Sequence, residues 1–387
     1  MAATAGDAVR KMSPFSKGFS VYLDVLRVSA AFVVFGAHAT SSPFLKDFPW
    51  LQDFAHDAVI VFFVLSGYII AHTAATRDHD LTAYAVNRSA RIYSVALPAV
   101  LLVPVLDQIA MAWRPDLYGR LYQYDALWLY IPFFLAFATD LWFFAEDAFS
   151  NVPYWSLCYE VWYYVLFAAI FFLRGPWRVI SVGLTLLIMG PRLWLLFPLW
   201  AAGAWMALRV RRVPTPRVIF ALALAGFIAV KATGLDTIID DWVNSFLGGW
   251  PETHLRYSQH FLGDWLIGAL ILMNILAARS CGFAGLARRS VRRPIVAVAS
   301  FSFTIYLFHM PLLKFFTAAL DHDSASVASW AVLMAAVAVA LIGLGLATEH
   351  QKQYFRRFFS WAASIVWRSL SRLPAVKTRV RDIPDVR

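Results

Sequence analysis

The sequence predicts an all-α integral membrane protein of about ten transmembrane helices, and three observations carry that expectation. Of 387 residues, 60% are hydrophobic and only 15% charged, whereas a soluble chain carries about 25% charge. Several apolar runs reach roughly 17 to 20 residues, enough to cross a bilayer. The polar segments between these runs alternate between strongly basic and acidic, the pattern left by repeated crossings.

Taken in order, the expected spans lie at about 22–40, 57–75, 92–112, 155–173, 178–190, 193–208, 217–233, 261–278, 297–317 and 328–348. A further hydrophobic stretch, about 127–145, must be assigned as crossing or not, and charge decides it. If it does not cross, one set of segments (1–21, 76–91, 174–178, 209–217, 279–294 and the tail after 349) holds 26 Lys and Arg. The opposite loops hold five: Lys46, Arg114, Arg120, Arg192 and Arg256. Basic residues in short loops favour the cytoplasm, so both termini are expected inside. A crossing at 127–145 would move Arg209, Arg211, Arg212 and the cluster Arg279, Arg288, Arg289, Arg292 and Arg293 outside. The segment therefore reads as re-entrant or interfacial, and its interior Pro132 and Asp140 suit a stretch tucked against protein.

Three regions follow: a cytoplasmic N-terminal segment 1–21, a transmembrane domain 22–349 and a basic cytoplasmic tail 350–387. The first is polar, with Arg10, Lys11 and Lys17, and lacks the apolar core and cleavage site of a signal peptide. In the tail, basic residues alternate with Phe355, Phe358, Trp361, Ile365 and Trp367 at helical spacing, as in a helix lying on anionic lipid. That placement accounts for much of the net charge of +10 without nucleic acid. The outer loops are rich in acids and in aromatics such as Trp242, Trp250 and Tyr257. They suit either a sugar-like acceptor or an ordinary interfacial belt. Cys158 and Cys281 lie far apart and suggest neither a disulfide framework nor a metal site.

Several ionisable residues fall inside the apolar runs, where they are costly and usually face a bundle interior or wet cavity. Arg27 and His38 share one helix face, about 16 Å apart along the axis. Arg88 and Arg91 are expected in the first inner loop, converging with Arg27 on the cytoplasmic half, and arginine forks suit phosphate. Asp24, three residues before Arg27, can neutralise it along the helix. Glu160 is expected at the depth of His38, where a carboxylate would orient the imidazole. Ser66, beside Gly67, marks a close helix crossing, and His309 precedes Pro311. Asp24, Ser66, Trp155, Ser156 and His309 are candidates for structural or substrate-lining roles, and no residue pair has metal-ligand spacing.

Five motifs in order give the chain a resemblance. LDVLR with His38 eleven positions after Arg27, FFVLSGY, Arg88-x-x-Arg91, WSLCYE and YLFHMP together resemble acyltransferase family 3, across roughly 20–349. These are membrane acyltransferases of bacterial surface and exported glycans. The resemblance implies acyl-CoA, chiefly acetyl-CoA, as cytoplasmic co-substrate, with no bound cofactor. It implies a glycan or lipid-linked glycan acceptor and a multi-pass location in the bacterial inner membrane. It also implies that Arg27 and His38 are essential, together with the loop arginines Arg88 and Arg91. Departures are Val25 and Ser29 for the usual first-span glycines, Ser94 for a proline, and Glu349-His350-Gln351 for a closing Glu-x-Pro. The expected mechanism has the CoA nucleotide on the arginines and the thioester at His38. There His38, oriented by Glu160, acts as general base or carries the acyl group covalently. A glycan or lipid-intermediate transporter and a non-catalytic sensor are the alternatives, and inverted repeats that would favour a transporter are not evident.

Overall fold

A computed structural model gives the fold and describes residues 14–46, 49–119, 122–209 and 213–370. Its helices are α1 Lys17–Ala39, α2 Ala55–Thr76, α3 Leu81–Trp113, α4 Leu127–Leu135, α5 Trp155–Phe172, α6 Gly175–Arg209 and α7 Pro216–Thr233. They continue with α8 Leu235–Phe246, α9 Trp250–His254, α10 Phe261–Cys281, α11 Arg289–Ala299, α12 Ser302–Ala319, α13 Val327–Ala347 and α14 Lys352–Leu370. No strand occurs among the described residues.

Helix starts follow local chemistry. Ser16 caps α1 by accepting from the Phe19 amide at 3.3 Å, and Asp80 caps α3 by accepting from Ala83 at 2.7 Å. That second cap starts α3 well before the expected position 92. LTAYAVNRSAR contains no proline or glycine to interrupt it. Arg88 and Arg91, expected in a loop, therefore sit on a helical face.

By length and composition, eight helical stretches can cross a membrane, and the pair α11 and α12, bent by 45°, makes a ninth. The difference from ten spans lies in α6, which counts once but breaks at Gly190 (φ 74°, ψ 177°). The Trp194 indole donates to the Leu186 carbonyl at 2.9 Å, whereas an unbroken helix would separate these residues by about 12 Å. Before the break, Phe172 packs on Tyr84, ring centres 5.2 Å apart, and at the break Met189 accepts from the Trp142 amide. Beyond it, the Val213 amide reaches Ser280 at 3.2 Å. The two halves of α6 thus run in opposite directions, as two segments.

The same contacts sort the loops into two ends. At one, Gly18 lies against the Gly282 and Phe283 carbonyls, Val213 meets Ser280, and Arg88 faces Asp78 at 3.9 Å. At the other, Lys46 bonds Ser324, Arg114 reaches Asp321, and Arg256 pairs with Asp140 at 3.2 Å. The stretch 127–145 forms no helix of span length. Only nine residues of it, α4, are helical, a rise of about 14 Å against a hydrocarbon core of about 30 Å. Side chains satisfy the carbonyls where α4 ends: Tyr154 donates to Phe134, Tyr93 to Leu135, and Trp162 to Phe137. Backbone satisfied by protein is the condition for irregular structure at membrane depth.

In the tail, α14 packs along α3, with Phe359 on Tyr93 and Phe358, Trp361 and Ile365 exposed beside Arg356 and Arg357. The segments 1–13 and 371–387, and Arg211 and Arg212, lie outside the described residues.

The core crossing joins α2 to the second half of α6. A Cβ on Gly67 would stand 1.9 Å from the Trp200 carbonyl oxygen, and one on Gly203 would stand 2.3 Å from that of Val64. Backbone touches backbone here, as small residues permit between membrane helices. Gly67→Ala should cost about 1–3 kcal/mol through overpacking. Gly343→Ala, where a Cβ meets nothing within 4 Å, should be neutral. Thermal unfolding of both variants in detergent tests the crossing, and equal melting temperatures would refute it.

Candidate active site

Five helices line a partly open polar cavity inside the bundle. Its wall includes Arg27 from α1, Ser66 from α2, Arg88 and Arg91 from α3, Ser156 and Glu160 from α5, and Tyr306 from α12. Six residues singled out in the sequence thus share one space, although they come from four stretches of chain.

Carboxylates balance the guanidinium groups. Arg27 bonds Asp24 one turn back at 3.3 Å. Arg27 and Arg91 also both face Glu160 and Glu349 within electrostatic reach. Glu349 is held there by the Thr304 amide and hydroxyl, each at 3.2 Å. The sequence offered Glu349 only as the first residue of an imperfect closing motif, and its place in the cavity depends on how α13 ends against α12. Arg91 is the arginine most open to solvent, so the cavity mouth lies beside it.

Glu160 does not meet His38. It accepts from Ser66 Oγ at 2.7 Å and from Tyr164, one turn further along its own helix. Those partners and the arginines hold it in the cavity, away from His38. His38 instead lies 2.9 Å from His309, Nδ1 to Nε2. His309 is fully buried, and its Nδ1 lies 3.0 Å from the Ile305 carbonyl. A carbonyl only accepts, so His309 Nδ1 carries a proton and its Nε2 accepts. His38 Nδ1 is then the donor, and His38 Nε2 is left with a free lone pair. A histidine pair replaces the expected histidine–carboxylate pair.

Tyr306 links the two parts and was not foreseen. Its hydroxyl is 2.6 Å from Ser156 Oγ inside the cavity, and its ring packs on Phe62 and stands 6.3 Å from His309. The signal lay in YLFHMP, where Tyr306 and His309 are three residues apart and so on one helix face. Trp155, beside Ser156, turns away from the cavity and stacks on Tyr257 at 4.1 Å.

The far end is braced by Arg256, which bridges Asp140 at 3.2 Å and Asp147 at 2.5 Å. Asp107 ties the same loop to α3 by accepting from Ser150 and Tyr124. Together they clamp the segment after α4 over the end of the bundle.

A polar cavity of this kind, inside a bundle of membrane-spanning helices, defines a polytopic membrane protein with an intramembrane reaction or binding site. The chain belongs to acyltransferase family 3, whose model, described as an acyltransferase domain, matches residues 20–349. It is therefore a membrane acyltransferase. No curated protein and no solved structure matches it.

Burial raises the Asp140 carboxyl to about 6 despite the attraction of Arg256. The proton is thus held more tightly in the folded state. Its stabilising effect is full below about pH 4 and is lost as pH rises through about 6. Asp140→Asn should gain roughly 2–3 kcal/mol relative to wild type between pH 4 and pH 7.5. Unfolding measured at both pH values tests this, and a difference independent of pH would reject it.

Proposed function

We propose that this protein transfers an acetyl group from cytoplasmic acetyl-CoA to a hydroxyl of a cell-surface or exported glycan, in the bacterial inner membrane. The convergence of Arg27, Arg88 and Arg91 on one cavity, linked by Tyr306 to the His38–His309 pair, carries this reading. Acyl-CoA is the co-substrate, and no bound cofactor is required. Among the described residues the end bearing the three arginines also carries Lys17, Arg77, Arg217, Arg288, Arg289, Arg292 and Arg293, which supports placing it in the cytoplasm. The remaining partners are the glycan or lipid-linked glycan acceptor and anionic lipid along the tail helix α14; nucleic acid has no part.

The arginines hold the CoA phosphates, and Asp24, Glu160 and Glu349 keep them oriented before CoA binds. The acyl-bearing arm lies along the cavity toward Tyr306 and Ser156, whose hydroxyls are placed to donate to the thioester oxygen as it gains charge. His38 Nε2, the lone pair left by the histidine pair, takes the proton of the acceptor hydroxyl. The acceptor oxygen bonds to the acyl carbon, the carbon–sulfur bond breaks, and the CoA thiolate leaves on the cytoplasmic side. In the covalent variant the same nitrogen takes the acyl group first. Trapping acyl-protein without acceptor separates the two routes.

Arg88→Ala and Arg91→Ala should each weaken CoA binding by about 1.5–3 kcal/mol per lost charged hydrogen bond, more than tenfold in Kd. His38→Ala should keep CoA affinity and lose about 10²–10⁴-fold in transfer. Calorimetry with CoA and transfer of [¹⁴C]acetyl label to membrane glycan read these outcomes. Unchanged CoA affinity in both arginine variants removes them from the donor site, and near-normal transfer by His38→Ala removes His38 from the chemistry.

Orientation is tested separately, on a chain with Cys281→Ser. A cysteine at Ala325 should react with an impermeant maleimide from outside, and one at Ser290 only after the membrane is opened. Both residues are exposed. The reverse pattern would invert the topology.

A further inference from the structure

A second histidine system stands at the opposite end of the bundle from the arginines, and the acyl-transfer chemistry above leaves it unused. His56, in the first turn of α2, places Nε2 3.0 Å from Asp264 at the start of α10. Its ring lies parallel to the Trp155 indole, centres 6.1 Å apart. Trp155 stacks on Tyr257, and the Arg256 guanidinium sits 4.6 Å over Tyr257. His260 approaches the His56 ring at 5.9 Å, and its Nδ1 lies 3.4 Å from Asp240.

The protons follow from these contacts. The buried Asp264 carboxylate accepts, so His56 carries a hydrogen on Nε2 and its Nδ1 edge is the one open to a ligand. Among the described residues Nδ1 has no hydrogen-bond partner. His260 differs, since its Nδ1 points to Asp240 while its Nε2 accepts from the Gln259 amide at 3.0 Å. Neighbouring charged groups are mostly paired with one another. Lys231 is held by Asp57 at 2.9 Å and Asp236 at 2.7 Å, and Asp240 accepts the Gly263 amide at 2.9 Å. Lys231, Asp240 and Asp264 are thus each engaged by a neighbour, while His56 Nδ1 is open.

That nitrogen belongs to a side chain that is reachable and held in place. The side chain of His56 is 26% exposed and that of Asp264 only 4%. A ring fixed by a buried carboxylate on one edge and an indole on one face does not rotate to find other partners. One turn along α2, Val59 lines the donor cavity, as does Ser156 next to Trp155. His56 therefore sits just beyond the cavity end that is remote from the arginines, on the side of the acidic, aromatic loops.

We propose that His56, oriented by Asp264, is the acceptor subsite of this acyltransferase and hydrogen-bonds through Nδ1 to a hydroxyl of a polyhydroxyl, sugar-like chain. This rests on the acyl-transfer reading given above and adds the position of the second substrate. The subsite engages a hydroxyl other than the one acylated, so that an extended glycan is registered against His38. The acidic surroundings (Asp57, Asp236, Asp240, Asp264) suit a neutral or cationic glycan and disfavour one rich in carboxylate.

The test uses full-length protein in native membranes that carry their own glycan and lack the endogenous copy, with [¹⁴C]acetyl-CoA as donor. His56→Gln and Asp264→Asn should lower label in glycan about 10–100-fold at limiting glycan, with [¹⁴C]acetyl-CoA binding within twofold of wild type. The loss should shrink as glycan is raised, a rise in acceptor KM with little change in kcat that a loosened bundle would not give. Two results overturn the subsite and leave acyl transfer intact: wild-type labelling by both variants while His38→Ala is inactive, or a loss in both that tracks lost acetyl-CoA binding. Absence of glycan label with wild-type protein, despite acetyl-CoA binding, would overturn the acyl-transfer reading and the subsite with it.

Discussion

The cost of holding arginine in a low-dielectric bundle organises this protein. An isolated guanidinium in such surroundings is unfavourable by several kcal/mol, and breaking a buried pair costs about 3–5 kcal/mol. Arg27 and Arg91 are tolerated because α1, α5 and the end of α13 each deliver a carboxylate: Asp24, Glu160 and Glu349. Those helices are not neighbours in sequence. Charge compensation therefore acts as a long-range constraint on how they assemble, alongside the close contact of α2 with α6 at Gly67 and Gly203. The same groups bring guanidinium donors to the wall of a solvent-reachable cavity.

The opposite end solves a different problem. There the backbone itself is irregular, and its polar groups must be satisfied without regular helix. The chain after α4 does this with side chains from the bundle: tyrosines and a tryptophan take its carbonyls, while Asp107 and Arg256 fix its loops. Arg192 contributes by donating to the Phe144 and His254 carbonyls. These are buried, directional bonds, so the cap over the acceptor end is set by specific pairs rather than by hydrophobic pressure. It follows that the two ends differ in kind, one a charged opening and the other a hydrogen-bonded lid.

Much of this was legible in the sequence, for identifiable reasons. Hydropathy located most of the helices, because it depends on composition along a short window. The arginines, Glu160, Ser66 and Ser156 were recognisable as polar residues in apolar runs. What the sequence did not reveal was pairing between helices. Glu160 and His38 looked matched by depth, yet Tyr164 on the same helix as Glu160, and Ser66 across from it, already satisfy the carboxylate. His309 seemed a residue of the Pro311 region, and only the packing of α12 on α1 brings it to His38. The missed start of α3 has a simpler cause: Asp80 was read as a loop residue rather than as a cap.

The spacing within α1 has a consequence for donor chemistry. Arg27 and His38 lie on one helix, about 16 Å apart along its axis. Phosphate held by the first group and an acyl carbon presented to the second must belong to a molecule whose charged end and reactive end are that far apart. An acyl phosphate, with its carbonyl bonded directly to the phosphate oxygen, cannot satisfy both sites at once. A donor with a long, thin, uncharged arm between its phosphates and its thioester can, and the apolar wall formed by Val59, Phe62 and Phe63 between the polar ends suits such an arm. On the proposed reading, one rigid helix sets the length of the donor.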